Sequence, residues 1–256
     1  AYYDAVISNY FNKFYNINFP KRKILYTNLI ENLRYGENPH QIGAFYSQNM
    51  KNKLEQLHGK TLSYNNYSDI FAALTISKSL PKNTGTAIVK HGNPCGVSAL
   101  KNNLDSYKSA LESDPISAFG GIISCNYKIT QKLALILNKI FLEVIVADGF
   151  EKKALKILKS KKNLRLIDSS KITFNEIWKF NSVDNFTLIQ SEDRKIFSKK
   201  DFKIVSKKKP NKSQLDNLMF AFNVCRYAKS NAIVLASNKS TVCLLYTSDA
   251  ADEMRR

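Results

Sequence analysis

The chain has 256 residues, of which 44% are hydrophobic, and 39 lysines and arginines outnumber 21 aspartates and glutamates, for a formal net charge of +18. No apolar stretch approaches the length that a bilayer requires, so the composition argues against a membrane-spanning protein and predicts a globular one. The 4 cysteines include no C-x-x-C pair. This sparse pattern argues against a disulfide framework and predicts a protein of the reducing cytoplasm.

The positive charge has two interpretations. A basic field attracts anionic partners, so one hypothesis is a nucleic-acid-binding module without catalysis. The lysines are, however, spread along the chain, and the densest runs, at 161–162, 199–200 and 207–209, lie between segments with structured patterns. We favour a charge that gathers small phosphorylated or carboxylated substrates and keep the nucleic-acid module as the alternative.

The first segment with a clear pattern is helical. Tyr3, Ile7, Phe11 and Phe14 recur on one face of a predicted helix over residues 1–14. The sequence starts with Ala1 and has no basic region followed by a cleavage site, which argues against a signal peptide. We expect this sequence to begin inside a longer protein.

Apolar, β-branched runs and helical patterns then alternate along the chain. The predicted strands are Thr86–Lys90, Gly120–Cys125, Glu143–Ala147 and Leu164–Ile167. The predicted helices are 100–111, Gln131–Ile140 and Lys152–Lys159. This alternation is typical of an α/β domain in which helices cover a sheet.

The alternation stops after residue 168, where Ser, Lys and Asn clusters predict a connector with short elements. Ser213 and Asp216 form a capping-box pattern ahead of an apolar helical stripe, and a strand is predicted at Asn231–Ala236. A second α/β unit is therefore expected to begin near residue 211. The composition shifts again after Val242, so the last residues are expected to be a frayed or foreign end.

The stretch IVKHGNPCGVS (88–98) is the first candidate site. Lys90 and His91 end a predicted strand, where ligands of open α/β sheets tend to bind, while Gly92, Asn93-Pro94 and Gly96 predict a turn into the next helix. The alternative is a solvated turn without chemistry. A zinc site on Cys95 is argued against, because the second thiolate of a P-C-x-x-C motif is missing and no glutamate follows His91.

Two further polar segments precede this stretch. NLRYGENPHQ (32–41) contains Arg34, whose planar guanidinium suits a phosphate or carboxylate, together with Tyr35 and His40. The alternative for this segment is an ordinary surface turn. In LSYNNYSD (62–69), Asn65, Asn66 and Asp69 are interpreted as caps of a following helix.

Two later segments are weaker on their own. SDPISAFGGIIS (113–124) places Gly120 and Gly121 at the start of a strand, where they allow a ligand to approach the backbone or mark a β-bulge. KSNAIVLA (229–236) places Asn231 at the entrance of another strand, which by itself is a routine strand start.

The combination and order of these segments are specific. LRYGENPHQ, LSYNN..D, VKHGNPCG, SDPISAFGG, EVIVA and KSNAIVLA together resemble the family of bifunctional enzymes that join phosphoribosylaminoimidazolecarboxamide (AICAR) formyltransferase to inosine monophosphate (IMP) cyclohydrolase. The resemblance covers about residues 1–242. It implies a zinc-free, cytidine-deaminase-like α/β/α three-layer unit, followed by the start of a second such unit.

The resemblance also implies roles for individual residues. Lys90 and His91 match the catalytic pair, and Arg34 and Tyr35 match a pair that holds the nucleotide. Further substrate contacts are implied, at Asn66, Gly120, Glu143 and Asn231. His40 and Asn93 are possible supporting residues. Asp148 departs from the family, which usually has proline there.

The implied partners are AICAR and 10-formyltetrahydrofolate as co-substrate, without a metal, in a cytoplasmic homodimer that binds neither nucleic acid nor membrane. The expected domains begin with a cyclohydrolase remnant and linker (1–23) and a first formyltransferase subdomain (24–170). A connector (171–210), the start of a second subdomain (211–242) and a non-native tail (243–256) are expected to follow. A chain that lacks half of the parent enzyme is expected to be weakly active or inactive alone.

Overall fold

The structure is a computed structural model that describes residues 1–49, 54–174 and 178–246. The chain divides into two compact units, Ala1–Lys53 and Leu54–Arg256. The sequence expectation placed its first boundary after residue 23, whereas the first compact unit ends 30 residues later, at Lys53. The assignment of residues 1–23 to a cyclohydrolase remnant stays a prediction.

The first unit combines one helix and a two-stranded antiparallel sheet. Helix α1 covers Tyr2–Phe14, strand β1 covers Asn28–Leu33 and strand β2 covers Gly43–Ser47. The helix confirms the periodic pattern, and its buried residue is Ala5. Phe11 and Phe14 stay exposed, so the aromatic face that the sequence predicted is not a packed core within the described part of this unit.

The second unit alternates strands and helices, as the sequence predicted. Its elements are β3 (Glu55–His58), α2 (Tyr64–Ser79), β4 (Thr86–Lys90), β5 (Asn93–Ser98), α3 (Asn103–Ser113), β6 (Ile122–Cys125), α4 (Gln131–Leu137), β7 (Val144–Ala147), α5 (Lys152–Leu158), β8 (Arg165–Asp168), β9 (Trp178–Val183), β10 (Phe186–Ser191), a 3₁₀ turn (Lys199–Asp201), α6 (Lys212–Cys225), β11 (Ala232–Ser237) and β12 (Ser240–Tyr246).

A mixed central sheet organises this unit. Within the described residues it has 8 strands in the order β11-β12-β5-β4-β6-β7-β8-β3. β6, β7 and β8 run parallel to one another, and the other neighbours pair antiparallel. The α/β class that the sequence predicted is therefore confirmed.

Helices cover the sheet on both faces, because each central strand presents apolar side chains alternately to either side. In β4, Ile88 packs in a cluster with residues of α3, α4 and α5, whereas Ala87 and Val89 pack in a second cluster with α2 and α6. Fully burying each isoleucine-sized side chain contributes about 1.5–3 kcal/mol. The result is an α/β/α arrangement of three layers.

The sequence analysis missed strand β5. Gly92 lies in a turn as predicted, but Asn93, Pro94 and Gly96 belong to a strand that returns antiparallel to β4 instead of leading directly into a helix. Pro94 is tolerated because the register is irregular opposite it, between Ile88 and Val89. Gly96 is required because a Cβ there would lie 1.8 Å from the carbonyl oxygen of Ala110 in α3.

The predicted cap of α6 is wrong, and the predicted cap of α2 is right only for Asn66. Helix α6 is capped by Asn211, whose side chain accepts from the Gln214 amide, rather than by Ser213 with Asp216. Helix α2 is capped by Ser63, with Asn66 completing the reciprocal capping box. Both true caps lie slightly upstream of the first apolar residue of the helix, where the choice among several Ser and Asn residues is not decided by sequence pattern.

The expected connector contains short elements, as predicted. Strands β9 and β10 form a separate antiparallel hairpin with exposed apolar residues, among them Phe186 and Leu188. Strand β12 continues through Tyr246, past the expected end of the second unit at Val242. Residues 247–256 lie outside the described residues, so a non-native tail there stays a prediction. None of the helices in the described ranges combines the length and apolar character needed to cross a membrane.

Candidate active site

Lys90 and His91 lie at a tight hairpin rather than at a strand-to-helix turn. Lys90 pairs with Asn93 across a two-residue turn of His91 and Gly92, whose φ angles are +52° and +75°. Two positive φ angles are typical of the type I′ turn that joins antiparallel strands. Histidine is one of the few non-glycine residues enriched in this left-handed region. The turn therefore holds the exposed imidazole at the end of a central strand.

The neighbours of this turn are set by the mixed direction of the strands. β4 runs antiparallel to β6, so the carboxyl end of β4 lies beside the amino ends of β6 and β7. Gly120 lies two residues before β6, and Glu143 directly precedes β7. The mixed sheet thus brings the Lys90–His91 turn to the end where the segments before β6 and β7 meet.

The carboxylate of Asp69 holds the turn in place. Its Oδ1 accepts a hydrogen bond from the Gly92 amide at 2.6 Å, and its Oδ2 accepts one from the His91 amide at 3.2 Å. Asp69 lies inside α2, so its predicted role as a helix cap is wrong. Burial raises the pKa of this carboxyl above its ordinary value of 3.8, although the two amide donors act in the opposite direction.

The raised pKa of Asp69 predicts a pH-dependent stability. The folded state binds this proton more tightly than the unfolded chain does. The contribution of Asp69 to stability therefore grows as pH falls through the pKa of the folded state, which lies above 3.8, and levels off below the pKa of the unfolded state. We expect the difference in unfolding free energy between wild type and Asp69→Asn to shift in favour of wild type as pH decreases from about 7 to about 4. Urea denaturation at several pH values measures this.

The exposed Glu112 on α3 provides the control, since Glu112→Gln also removes one carboxylate without touching the hairpin. A difference between wild type and Asp69→Asn that stays constant with pH, or that moves in the opposite direction, would show that Asp69 is not coupled to folding in this way.

Lys90 is fixed toward the segment before β6. Its Nζ donates to the carbonyl oxygen of Phe119 at 2.9 Å, and the next residue, Gly120, has a φ of +74°. The Gly120 amide in turn donates to the carbonyl of Phe141 at 3.0 Å. The ammonium of Lys90 therefore lies next to the backbone that the sequence proposed for ligand approach.

Asn66 and Glu143 form a second pair at this end of the unit. Asn66 is buried, and its Nδ2 donates to Oε2 of Glu143 at 2.9 Å. Arg165 lies 3.9 Å from the same carboxylate oxygen and also donates through Nε to the carbonyl of Thr61 at 3.1 Å. Asn66 lies three residues before Asp69 in α2, so the two side chains share one face of the helix.

Asn93 links the turn to the entrance of β11. Its Nδ2 donates to the His91 carbonyl at 3.4 Å, and its Oδ1 accepts from the Lys229 amide at 3.2 Å. Asn231, two residues further on, is exposed. The structure therefore joins Asn93 to His91 and Asn66 to Glu143, and it places Lys90 on the carbonyl of the residue before Gly120, whereas Asn231 is linked to Asn93 through the chain from Lys229.

The remaining expected site residues belong to the first unit. Arg34 and Tyr35 follow β1, with the guanidinium carbon 5.8 Å from the Tyr35 ring centroid, and both Arg34 and His40 are exposed. A backbone hydrogen bond of 2.8 Å from the Gly36 amide to the Gln41 carbonyl closes the loop. The expected convergence of Arg34 with Lys90 and His91 stays a prediction.

A comparison with protein families covers almost the whole chain. The family model of the AICARFT/IMPCHase bienzyme matches residues 1–245. The chain belongs to the AICARFT/IMPCHase bienzyme family. The match includes residues 243–245, which the sequence analysis expected to be part of a non-native tail.

Individual relatives in the AICARFT/IMPCHase family carry the name bifunctional purine biosynthesis protein PurH. The Thermoanaerobacter sp. (strain X514) protein is 41% identical over 246 residues, the Leptospira biflexa protein (strain Patoc 1 / Ames) 42% over 245, and the Aquifex aeolicus protein 39% over 247. Each match covers 94% of this chain but only 47–48% of the relative. The chain therefore spans about half the length of these relatives.

Within the described residues of this family member, no three His, Cys, Asp or Glu side chains come together to hold a metal ion. Cys95 is buried in β5, and burial raises the pKa of its thiol to about 11. A thiolate is the form of cysteine that binds metals or acts as a nucleophile. Cys95 therefore packs as a small apolar side chain.

Two residues of this candidate site, Asp69 and Arg165, were not predicted from the sequence. Asp69 was interpreted locally, although its spacing of three from Asn66 places both side chains on one face of α2. Arg165 gave no sequence signal, because a single arginine at a strand start is common. Its contact with Glu143 arises only from the pairing of β7 with β8.

Proposed function

We propose that this chain carries the formyl-transfer part of a bifunctional enzyme of purine biosynthesis. The proposed reaction moves the formyl group of 10-formyltetrahydrofolate to the 5-amino group of AICAR. Membership of the AICARFT/IMPCHase family supports the reaction class. The observation that carries the assignment to this chain is the anchored turn, which presents an imidazole and an ammonium at the end of the sheet where the part-buried pair of Asn66 and Glu143 also lies.

The chemistry requires a base and a cation. The amino group of AICAR is a weak nucleophile, because its lone pair is delocalised into the imidazole carboxamide. In our proposal His91 accepts a proton from this nitrogen as the new bond to the formyl carbon forms. Lys90 stabilises the negative charge on the formyl oxygen and gives a proton to the folate nitrogen as its bond to the formyl carbon breaks.

The other polar residues hold the nucleotide in this proposal. Arg34 and Tyr35 bind its phosphate or carboxamide side, and further contacts come from Asn66, Gly120, Glu143 and Asn231. Asn93 supports His91 through its contact with the His91 carbonyl, and His40 is a supporting residue of the loop after β1. Since Arg165 lies 3.9 Å from Glu143, it partly neutralises the carboxylate that would face the substrate.

The parent enzyme is proposed to be a cytoplasmic homodimer with IMP cyclohydrolase activity in addition to formyl transfer. The three layers formed by residues of the second compact unit support a cytidine-deaminase-like fold, which we propose to be free of zinc. We propose that α6, β11 and β12 are the start of the second formyltransferase subdomain. Because the chain spans half of its relatives, we propose that it is weakly active or inactive by itself.

A chimaeric enzyme tests the formyl-transfer proposal. In this chimaera, residues 1–245 replace the matching segment of the Thermoanaerobacter relative. We expect it to convert AICAR with 10-formyltetrahydrofolate, and to do so faster than the isolated chain. The unmodified relative is the positive control. A folded chimaera that retains cyclohydrolase activity but transfers no formyl group would contradict the proposal.

A further inference from the structure

A cationic hollow lies at the amino ends of β7 and β8. Its volume is about 780 Å³, and its walls come mainly from the segment between α4 and β7 and the segment between α5 and β8. Lys60 and Phe119 complete the wall. We call this feature the cationic hollow. None of the roles proposed for formyl transfer uses its lysines.

The charge of the hollow is strongly unbalanced. Its charged lining residues are one carboxylate, Glu143, and five cations, which are Lys60, Lys139, Lys161, Lys162 and Arg165. Five positive charges and one negative charge leave a formal charge of +4. The one carboxylate already accepts from Asn66 at 2.9 Å and lies 3.9 Å from Arg165.

Two of the cations have structural roles. Lys161 donates from Nζ to the carbonyl of Ile140 at 2.6 Å, and burial lowers the pKa of its ammonium. Arg165 donates to the carbonyl of Thr61 at 3.1 Å. The Lys161 bond holds the two walls together, and the Arg165 bond ties the start of β8 to the segment that carries Lys60.

The other three cations have no such role. Lys60, Lys139 and Lys162 are exposed, and within residues 1–49, 54–174 and 178–246 no ion pair includes any of them. Ammonium groups that share a concave wall and outnumber its carboxylates repel one another and raise the local concentration of anions. The repulsion between these lysines destabilises the fold unless an anionic ligand neutralises their charge.

We infer that the cationic hollow binds a small polyanion with several closely spaced negative charges, such as a chain of carboxylates or phosphates. A single phosphate reaches only part of the wall, whereas a chain engages Lys60, Lys139 and Lys162 together. This site goes beyond the proposed formyl transfer and does not depend on it.

Titration calorimetry of the whole chain with sodium tripolyphosphate tests this inference. We expect saturable binding of one tripolyphosphate per chain, weaker as salt is raised, since screening shortens the range of each charge to about 10 Å at 0.1 M. Inorganic phosphate should bind at least about tenfold more weakly, because it meets fewer of the lysines. The variant Lys139→Glu/Lys162→Glu should lose at least about tenfold in affinity for tripolyphosphate.

The matched control is Lys101→Glu/Lys108→Glu, which changes the net charge by the same amount at exposed lysines outside the hollow. Its affinity for tripolyphosphate should fall by less than about threefold. An equal loss in both variants, or the absence of saturable binding, would overturn the inference. If the glutamate variant does not fold, Lys139→Gln/Lys162→Gln gives the same comparison with smaller effects.

Two additional ligands identify the chemistry. Tighter binding of tri-γ-glutamate than of tripolyphosphate would assign a polycarboxylate, and the reverse order would assign a polyphosphate. A short single-stranded oligonucleotide is the third probe. If it binds with the same affinity and the same dependence on Lys139 and Lys162, the hollow is part of a nucleic-acid surface and the small-polyanion inference is wrong.

Discussion

Replacing His91 by alanine in the chimaeric enzyme is expected to lower kcat for formyl transfer by about 10²–10⁴-fold, the usual contribution of a positioned general base. The turn itself should survive, because Asp69 accepts from the backbone amides of His91 and Gly92 and not from the imidazole. Affinity for AICAR should therefore change by less than about threefold. Initial rates and equilibrium binding of AICAR measure the two quantities.

Lys90→Met gives a second variant of the same kind. It removes the ammonium that lies 2.9 Å from the Phe119 carbonyl and should lower kcat by about 10²–10³-fold. His58→Gln is the control, because His58 lies in β3, its ring nitrogen is 3.2 Å from the carbonyl oxygen of Lys161, and it has no role in the proposed transfer. If His91→Ala retains full turnover, or if His58→Gln loses as much as His91→Ala, the assignment of the base is wrong.

Gly96→Ala is expected to have the largest effect on stability. The added Cβ would lie 1.8 Å from the carbonyl oxygen and 2.8 Å from the carbonyl carbon of Ala110, and both atoms belong to the backbone of α3. The helix must move away from β5, which disrupts the packing of Tyr107 and Ala110 in the core. We expect a loss of at least about 3 kcal/mol in the free energy of unfolding, measured by urea denaturation.

Gly92→Ala separates this clash from an effect of backbone conformation. A Cβ at Gly92 meets nothing within 4 Å, so only its φ of +75° disfavours alanine. The expected loss is about 1–2 kcal/mol. Equal losses for the two variants would show that α3 does not pack on β5 as closely as described.

The central strands and most helices could be predicted from the sequence because their signals are local. Thr86–Lys90 is a β-branched run whose limits match strand β4, and the helices at Gln131 and Lys152 begin at the predicted residues. Long-range pairings had no such signal. Strand β3 contains one aliphatic residue, Leu57, and is a strand because it pairs with β8.

The sequence named candidate site residues one by one, but it did not predict how they are arranged. Lys90 and His91 were found because they follow an apolar run, yet the turn that presents them depends on Pro94 and Gly96 belonging to a strand. Asp69 looked like a local cap, since nothing in the sequence reveals that the turn after β4 returns to α2. Contacts between segments distant in the sequence therefore account for what the sequence analysis missed.

Lys78 and Asp148 form a partly buried ion pair. Lys78 donates from Nζ to Oδ1 of Asp148 at 2.7 Å and to the carbonyl of Ser169 at 3.0 Å, while the Ser169 hydroxyl also donates to Asp148. Asp148, where the resemblance implies that the family usually has proline, is thus a bonded part of the turn after β7.

The two-residue length of the His91–Gly92 turn has a consequence for evolution and engineering. One added residue would shift β5 along β4, turn Val97 toward the wrong helical layer and move a side chain into the space that Gly96 leaves for α3. Insertions at this loop are therefore selected against by folding itself, before any loss of chemistry. Homologous chains should therefore keep this turn at two residues.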